Sequence, residues 1–469
     1  MSRASFRLLW ALRILALGVI ALSLAAPLFR EETVWGLWPA TYLPAAWRWA
    51  FALLAAGLAL FGDRISDRIP TGWLRGIRFG SSWTRLAIAL LSVIPFYLFR
   101  IQHLRWGDAY ILIHAIPHPQ ARLTYTWQAP LDLFLHAKAW ALGNRLFGWP
   151  DPTPVYWLIS AAAGVIFVWL LLGLAHWLGR DRTERFLLVG LVASLGLMQL
   201  FFGYIENYTL MTVGVVITIW LALRALRGEI ALIWPATALA LTHACHPSTI
   251  ILAPSLLYLA WQIRHRSRPE PQGSGLRAQT SYKSLLLQIA IPYLLVLVGV
   301  FALMTAGGHG LDALLGSDAP GGGDRNWLVP LVQTTTRWEH YTMFSLGHLL
   351  DIVNEQLLVA PVIWPGLLLT FAFAWLRVPR RDGTFRLLLL MSLLYLLLTL
   401  TWNPDYGGQR DWDLFAPAAL PAAILFGYVL ARALPERNAL RSAGCALIAA
   451  QALHTAMWIY QNTLPWMPG

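Results

Sequence analysis

Thirteen apolar stretches divide this sequence, and they leave the chain few folds to choose from. Backbone that crosses bilayer hydrocarbon must satisfy its own polar groups, so a run of about 20 apolar residues reads as a spanning helix. The stretches are Leu8–Leu28, Leu43–Phe61, Leu86–Phe99, Val155–Leu178, Phe186–Phe202, Leu210–Leu226, Ile230–Ala244, Ile250–Ile263, Leu285–Leu303, Leu357–Leu376, Leu387–Thr401, Ala416–Leu430 and Ala443–Tyr460. Several are short and must extend into the interface or tilt little. The pairs that meet around Arg224–Glu229 and around His246 are joined by tight turns, and losing one pair lowers the count by two. The pattern predicts an all-α polytopic membrane protein of eleven to thirteen transmembrane helices, with residues 1–469 forming a single transmembrane domain.

Composition excludes the alternatives. The chain is 58% hydrophobic and 12% charged, whereas soluble domains carry about 25% charged residues. No soluble core absorbs that much apolar surface, and a disordered chain would carry far less. Two cysteines, Cys245 and Cys445, cannot build a disulfide framework.

Charge tests the topology. With the N-terminus inside and alternating spans, 24 of the 35 basic residues fall on inner connections, and every inner connection holds at least two. The C-terminus is then outside. The net charge of +12 is therefore membrane orientation, and nucleic acid is not a partner. The first stretch has the basic start of a signal peptide, but its apolar run is long, and an uncleaved anchor fits the spans that follow. Only two of the basic residues are Lys, a composition that hints at a GC-rich bacterial source and a bacterial inner (plasma) membrane. Acids behave oppositely: 15 of the 23 fall outside. Insertion does not explain that excess. Solvated loops would, and so would a reaction site on the extracytoplasmic face.

Three outer stretches are long enough to hold such a site. Residues 100–153 contain RWGDAY and then QAPLDLFLHAKAWALGNRLFG, whose apolar spacing predicts an amphipathic surface helix. Residues 306–355 contain the Gly-rich GSDAPGGGDRNW, which reads as a mobile loop, a candidate lid. Residues 403–415 are NPDYGGQRDWDLF. Two short connections, GYIENY and HACHPST, open on the same side. No internal repeat of the kind found in many secondary transporters is visible.

These stretches nominate particular side chains. Asp108 follows a span directly, where a carboxylate can act as general base toward a hydroxyl or can be an ordinary interfacial acid. Asp132 is a second acid, a metal ligand or part of a solvated helix face. Glu206 sits in a turn of very few residues between two spans, where an ionisable group is costly and therefore a functional candidate. Arg410, between Gly408 and the acids Asp411 and Asp413, can clamp a phosphate or close a local salt bridge. His246, with His243 three residues before it, lies at a helix end. Zinc there would need a third ligand. A divalent metal is conceivable, but the residues do not support one, and the cofactor stays open.

Taken together, the spans, the long first outer loop with an acid just after a span, and the surface helix resemble the GT-C superfamily of membrane glycosyltransferases, which use polyprenyl-phosphate-linked sugars. The QAPL element (Gln128, Pro130, Leu131), the GYIENY turn and the HPSTIILAPSLLYL helix start are similar to elements of that family. The chain differs in having two spans before the loop and a single acid in GDAY. The resemblance implies Asp108 as the catalytic base of an inverting transfer, with Arg410, Arg105 or Arg337 stabilising the leaving polyprenyl phosphate. It implies that Glu206 assists catalysis and that Asp132, Asp411, Asp413, His246 and Gln128 contribute to substrate binding. The implied partners are a polyprenyl-phosphate sugar donor, a glycan, lipid or protein acceptor, and membrane lipid. A flippase or transporter of lipid-linked sugars, and an oligosaccharide ligase or polymerase, are the competing expectations. A transporter would place more ionisable residues deep in its spans.

Overall fold

A computed structural model of the chain describes residues 1–68, 80–118, 123–266, 281–316 and 327–465. The Gly-rich part of the second outer stretch (317–326) and most of the Arg- and Pro-rich inner linker (267–280) lie outside the described residues.

Regular structure among the described residues is helical, apart from one isolated bridge between Leu328 and Trp402. The longer helices, in chain order, are α1 (Arg3–Ala25), α2 (Ala45–Arg68), α3 (Ser82–Leu91), α4 (Val93–Leu98), α5 (Ala109–Ala115), α6 (Pro130–Phe147), α7 (Thr153–Leu178), α8 (Arg182–Ala193), α9 (Thr209–Leu226), α10 (Ile233–Cys245), α11 (Ala253–Arg266), α12 (Tyr282–Ala306), α13 (Leu346–Val359), α14 (Ile363–Ala374), α15 (Gly383–Thr401), α16 (Ala419–Ala433) and α17 (Arg437–Asn462). Among the described residues, eight helical segments are long and apolar enough to cross a membrane, or nine if the bent pair α13 and α14 is counted as one crossing. The chain is a multi-pass membrane protein.

All thirteen apolar stretches fall on helical structure, but several are interrupted, and local chemistry gives the reason. Ser92 separates α3 from α4, its hydroxyl turned back onto the Ala89 carbonyl at 2.5 Å. After α8 the chain tightens into a 3-10 turn, Gly196–Phe201. Pro247 opens another, Pro247–Leu252, between α10 and α11. Ala360 precedes Pro361, which cannot continue a helix, and α13 and α14 meet at 92°.

Helix starts follow their capping residues. Asp181 accepts from the Thr183 and Glu184 amides at the head of α8, and Asp382 accepts from Thr384 N at the head of α15. The segment Trp412–Ala433, ending in α16, is buried apart from half-buried Arg432 and forms the centre of the bundle. Small residues let neighbours approach it: a Cβ on Gly427 would stand 2.8 Å from Leu188 of α8. In contrast, most of α12 faces outward, with Leu294, Leu295 and Leu297 exposed. At the end assigned inside, Arg377 donates to Ser5 Oγ (2.7 Å), Ser2 Oγ (2.9 Å) and the Ala433 carbonyl (3.1 Å), joining α1, α14 and α16.

The opposite end carries the long connections, and they are latched to each other. Trp106 Nε1 donates to Asn462 Oδ1 at 2.7 Å, and Gln102 N to the Asn462 carbonyl at 2.9 Å, so the first outer stretch is fixed to the end of α17. The described part of the second outer stretch lies on the third: Val329 N donates to Thr401 O (2.9 Å), Asn403 N to Trp327 O (3.0 Å) and Asn403 Nδ2 to Trp338 O (3.0 Å).

Candidate active site

Asp108 ends the RWGD turn at the start of α5. Gly107 before it has φ +47°, and a Cβ there would run into the Glu206 side chain, so the turn needs glycine. The Asp108 amide donates to Glu206 Oε1, and Asn207 N donates to Glu206 Oε2 at 3.1 Å. Glu206 is buried, and both of its oxygens hold backbone. Gly107 N donates to the Arg410 carbonyl at 3.0 Å, tying the first outer stretch to the third. Asp108, Glu206 and Arg410, three residues on three connections, are thereby brought together.

The Asp108 carboxylate is half-buried and receives two side-chain donors: the Tyr406 hydroxyl at 2.9 Å on Oδ1 and Gln128 Nε2 at 3.5 Å on Oδ2. Burial pushes its pKa up. The Tyr406 and Gln128 hydrogen bonds and the Arg410 charge pull against that without cancelling it. Burial and the neighbouring carboxylates Asp108 and Asp413 push Glu206 well above the usual range. Burial raises Tyr406 as well, with Asp108 adding to it.

The three candidate cations differ. Arg410 is exposed, stands over the Tyr406 ring at 4.9 Å, and forms no ion pair among the described residues. Arg105 is committed: it pairs with Glu31 at 3.0 Å, and Glu31 also accepts from Gln409 Nε2 at 2.8 Å. Arg337 is exposed and stands over Trp338 at 4.4 Å. Trp338 in turn meets Tyr406 edge-on at 5.9 Å.

Asp411 and Asp413 serve different neighbours. Asp411 accepts from Tyr406 N at 2.7 Å and so shapes the turn that presents the Tyr406 hydroxyl. Burial, with Asp413 adding to it, pushes the Asp411 carboxyl well up. Asp413 is buried and accepts from the Tyr204 hydroxyl at 2.9 Å. Gly407, at φ +84°, makes the turn from Tyr406 to Asp411 possible.

Asp132 and His246 are held by partners other than Asp108, Glu206 and Arg410. Asp132 is fully buried, with Oδ2 3.1 Å from His136 Nδ1. His136 stacks on Tyr156 at 4.1 Å. Burial pulls the His136 imidazole down, but Asp132 outweighs it and the pKa is raised. This part of α6 thus faces inward, because pairing with His136 lets a carboxylate leave water. His246 is also buried, with Nδ1 2.8 Å from Ser248 Oγ, beside the Tyr208 ring. Among the described residues no three His, Cys, Asp or Glu side chains are placed to hold a metal ion.

Two residues at the site escape the sequence reading. Tyr406 reads as one more interfacial aromatic in a chain with 15 tyrosines. Asp351, which accepts from Gly408 N at 3.2 Å, lies far from any motif.

No family model matches the chain, and no curated protein matches it. Among solved structures, ArnT from Cupriavidus metallidurans in the apo state is similar over 83% of this chain and 78% of its own, at 13% identity and a TM-score of 0.48. The Archaeoglobus fulgidus oligosaccharyltransferase tethered with an acceptor peptide is similar over 81% of this chain, at 14% identity and a TM-score of 0.42. The chain spans 55% of that protein's length.

Proposed function

We propose that this chain is an inverting glycosyltransferase of the GT-C type. It moves a sugar from a polyprenyl-phosphate-linked donor to an acceptor hydroxyl at the extracytoplasmic face of a bacterial inner membrane. The observation that carries the reading is the surrounding of Asp108: a carboxylate held on both oxygens by neutral donors, with the exposed Arg410 guanidinium, in no ion pair among the described residues, close by.

A base works best when its pKa approaches the working pH, and partial burial moves Asp108 in that direction. Its carboxylate takes the acceptor O–H proton. The acceptor oxygen attacks the anomeric carbon from the side opposite the phosphate. The bond from that carbon to the phosphate oxygen breaks with its electron pair, and polyprenyl phosphate leaves as an anion beside Arg410. Glu206 fixes the Asp108 backbone, and Asp411 fixes the Tyr406 turn.

The test uses the purified chain in nanodiscs with a panel of radiolabelled polyprenyl-phosphate sugars. Release of polyprenyl phosphate together with an acceptor-linked sugar of inverted anomeric configuration supports the reading. Movement of intact lipid-linked sugar across the bilayer, without bond cleavage, replaces it with a flippase.

A further inference from the structure

Helix α13 does not run with the spans. Its neighbour α14 packs between α1 and α16 and leads to Arg377 at their inner ends, so α14 follows the crossing direction. At 92° to it, α13 lies across that direction, at the end of the bundle that carries the candidate site.

The two faces of α13 have opposite character. Leu346, Leu349, Leu350 and Val353 are 71%, 52%, 37% and 53% exposed, and their spacing places them in one stripe. On the other face His348, Asn354, Glu355 and Leu358 are buried. Phe344 before the helix and Leu368 and Phe373 of α14 after it are exposed as well. An exposed apolar stripe on a helix that lies across the spans at one end of a membrane bundle is a surface for lipid.

The inner face grips the loops of the site. Asp351 accepts from Trp35 Nε1 at 3.0 Å and from Gly408 N at 3.2 Å. Asn354 accepts from Gly36 N and donates to Thr33 O, each at 3.0 Å. One helix thus holds both the connection after α1 and the turn that displays Tyr406 and Arg410.

We infer that α13 is an in-plane helix whose Leu346–Leu349–Leu350–Val353 stripe rests among the acyl chains of the outer leaflet, so that bilayer lipid sets the position of the Gly407–Gly408 turn. The placement of the helix stands independently of the proposed chemistry. Only the importance of the turn rests on that reading.

Single cysteines at Leu346, Leu349 and Val353, spin-labelled in full-length protein whose Cys245 and Cys445 are replaced by alanine, test the placement in phosphatidylcholine–phosphatidylglycerol nanodiscs. A label at exposed Gln333 serves as the water reference and one at Leu368 as the lipid reference. Collision with oxygen is expected to exceed collision with a water-soluble nickel chelate at all three positions, with Leu346 and Val353 at the same depth. A depth difference of about 10 Å, the rise over seven helical residues, means that α13 spans and overturns the inference. Higher nickel collision at all three positions overturns it in favour of water, and low collision with both reagents overturns it in favour of a protein partner. None of these readouts depends on transfer activity.

Discussion

The hydroxyl of Tyr406 donates a 2.9 Å hydrogen bond to Oδ1 of Asp108, across a sequence separation of 298 residues. This bond favours the charged carboxylate and opposes the upward push of burial. Removing it in Tyr406→Phe leaves a more weakly acidic Asp108. The base must be deprotonated to act, so the acid limb of the kcat–pH profile moves to higher pH. Loss of a hydrogen bond to a charged group also lowers kcat at neutral pH by about 10-fold. An unchanged acid limb would remove Tyr406 from the role.

Asp108→Asn keeps an acceptor for Tyr406 but cannot take a proton. Transfer is expected to fall by about 100-fold or more, the usual range for loss of a general base. Expression and the melting temperature in nanodiscs should stay at wild-type values. Near-normal turnover would exclude Asp108 as the base.

Glu206 and Asp411 make the fold pH-dependent in a calculable direction. Both carboxyls are raised in the folded chain, so between their unfolded and folded pKa values the folded state holds more protons than the unfolded state. Stability then falls as pH rises through that window and is greatest below it. Their contribution to the melting temperature therefore declines as pH rises. The advantage of the wild-type chain over Glu206→Gln, which is neutral throughout, should shrink from pH 5 to pH 8. A difference that moves the other way would contradict the assignment.

Arg410 and Arg105 should separate in kinetics. Arg410→Ala removes the exposed cation that the proposed mechanism sets beside the leaving phosphate and should cut kcat/KM for the donor by about 100-fold, with partial recovery in Arg410→Lys. Arg105 is neutralised by Glu31. Arg105→Ala should cost less than about 10-fold, since a part-exposed ion pair contributes little. Equal losses in the two variants would mean that the pairing of Arg105 does not withdraw it from the donor phosphate.

The Asp132–His136 pair should act on stability. His136→Leu strands a buried carboxylate and is expected to cost about 3–5 kcal/mol, read as a large fall in melting temperature. The donor KM of the surviving folded fraction should not move. A KM effect without a stability effect would place Asp132 at the substrate.

Much of this architecture is legible in the sequence because spanning helices announce themselves by composition alone. The apolar stretches from Leu8 to Tyr460 coincide with helices, and the outer stretches that the charge pattern groups together meet in space at Asp108, Glu206 and Arg410. Interruptions are less legible. The turn at Ala360–Pro361 looks like part of one apolar run, since hydropathy does not register direction. Buried polar pairs are hidden for a related reason. Asp132 has the position of a surface residue on an amphipathic helix, and only His136, one turn later and packed on Tyr156 of α7, lets it face inward. Tyr406 was masked by its residue type, because aromatic side chains near a membrane surface are common for reasons unrelated to chemistry.

The latch between Trp106 and Asn462 has a consequence for biogenesis. A ribosome finishes the first outer stretch long before α17 exists, so during translation that stretch holds its ties to Glu31 and Glu206 but waits for its Asn462 partner.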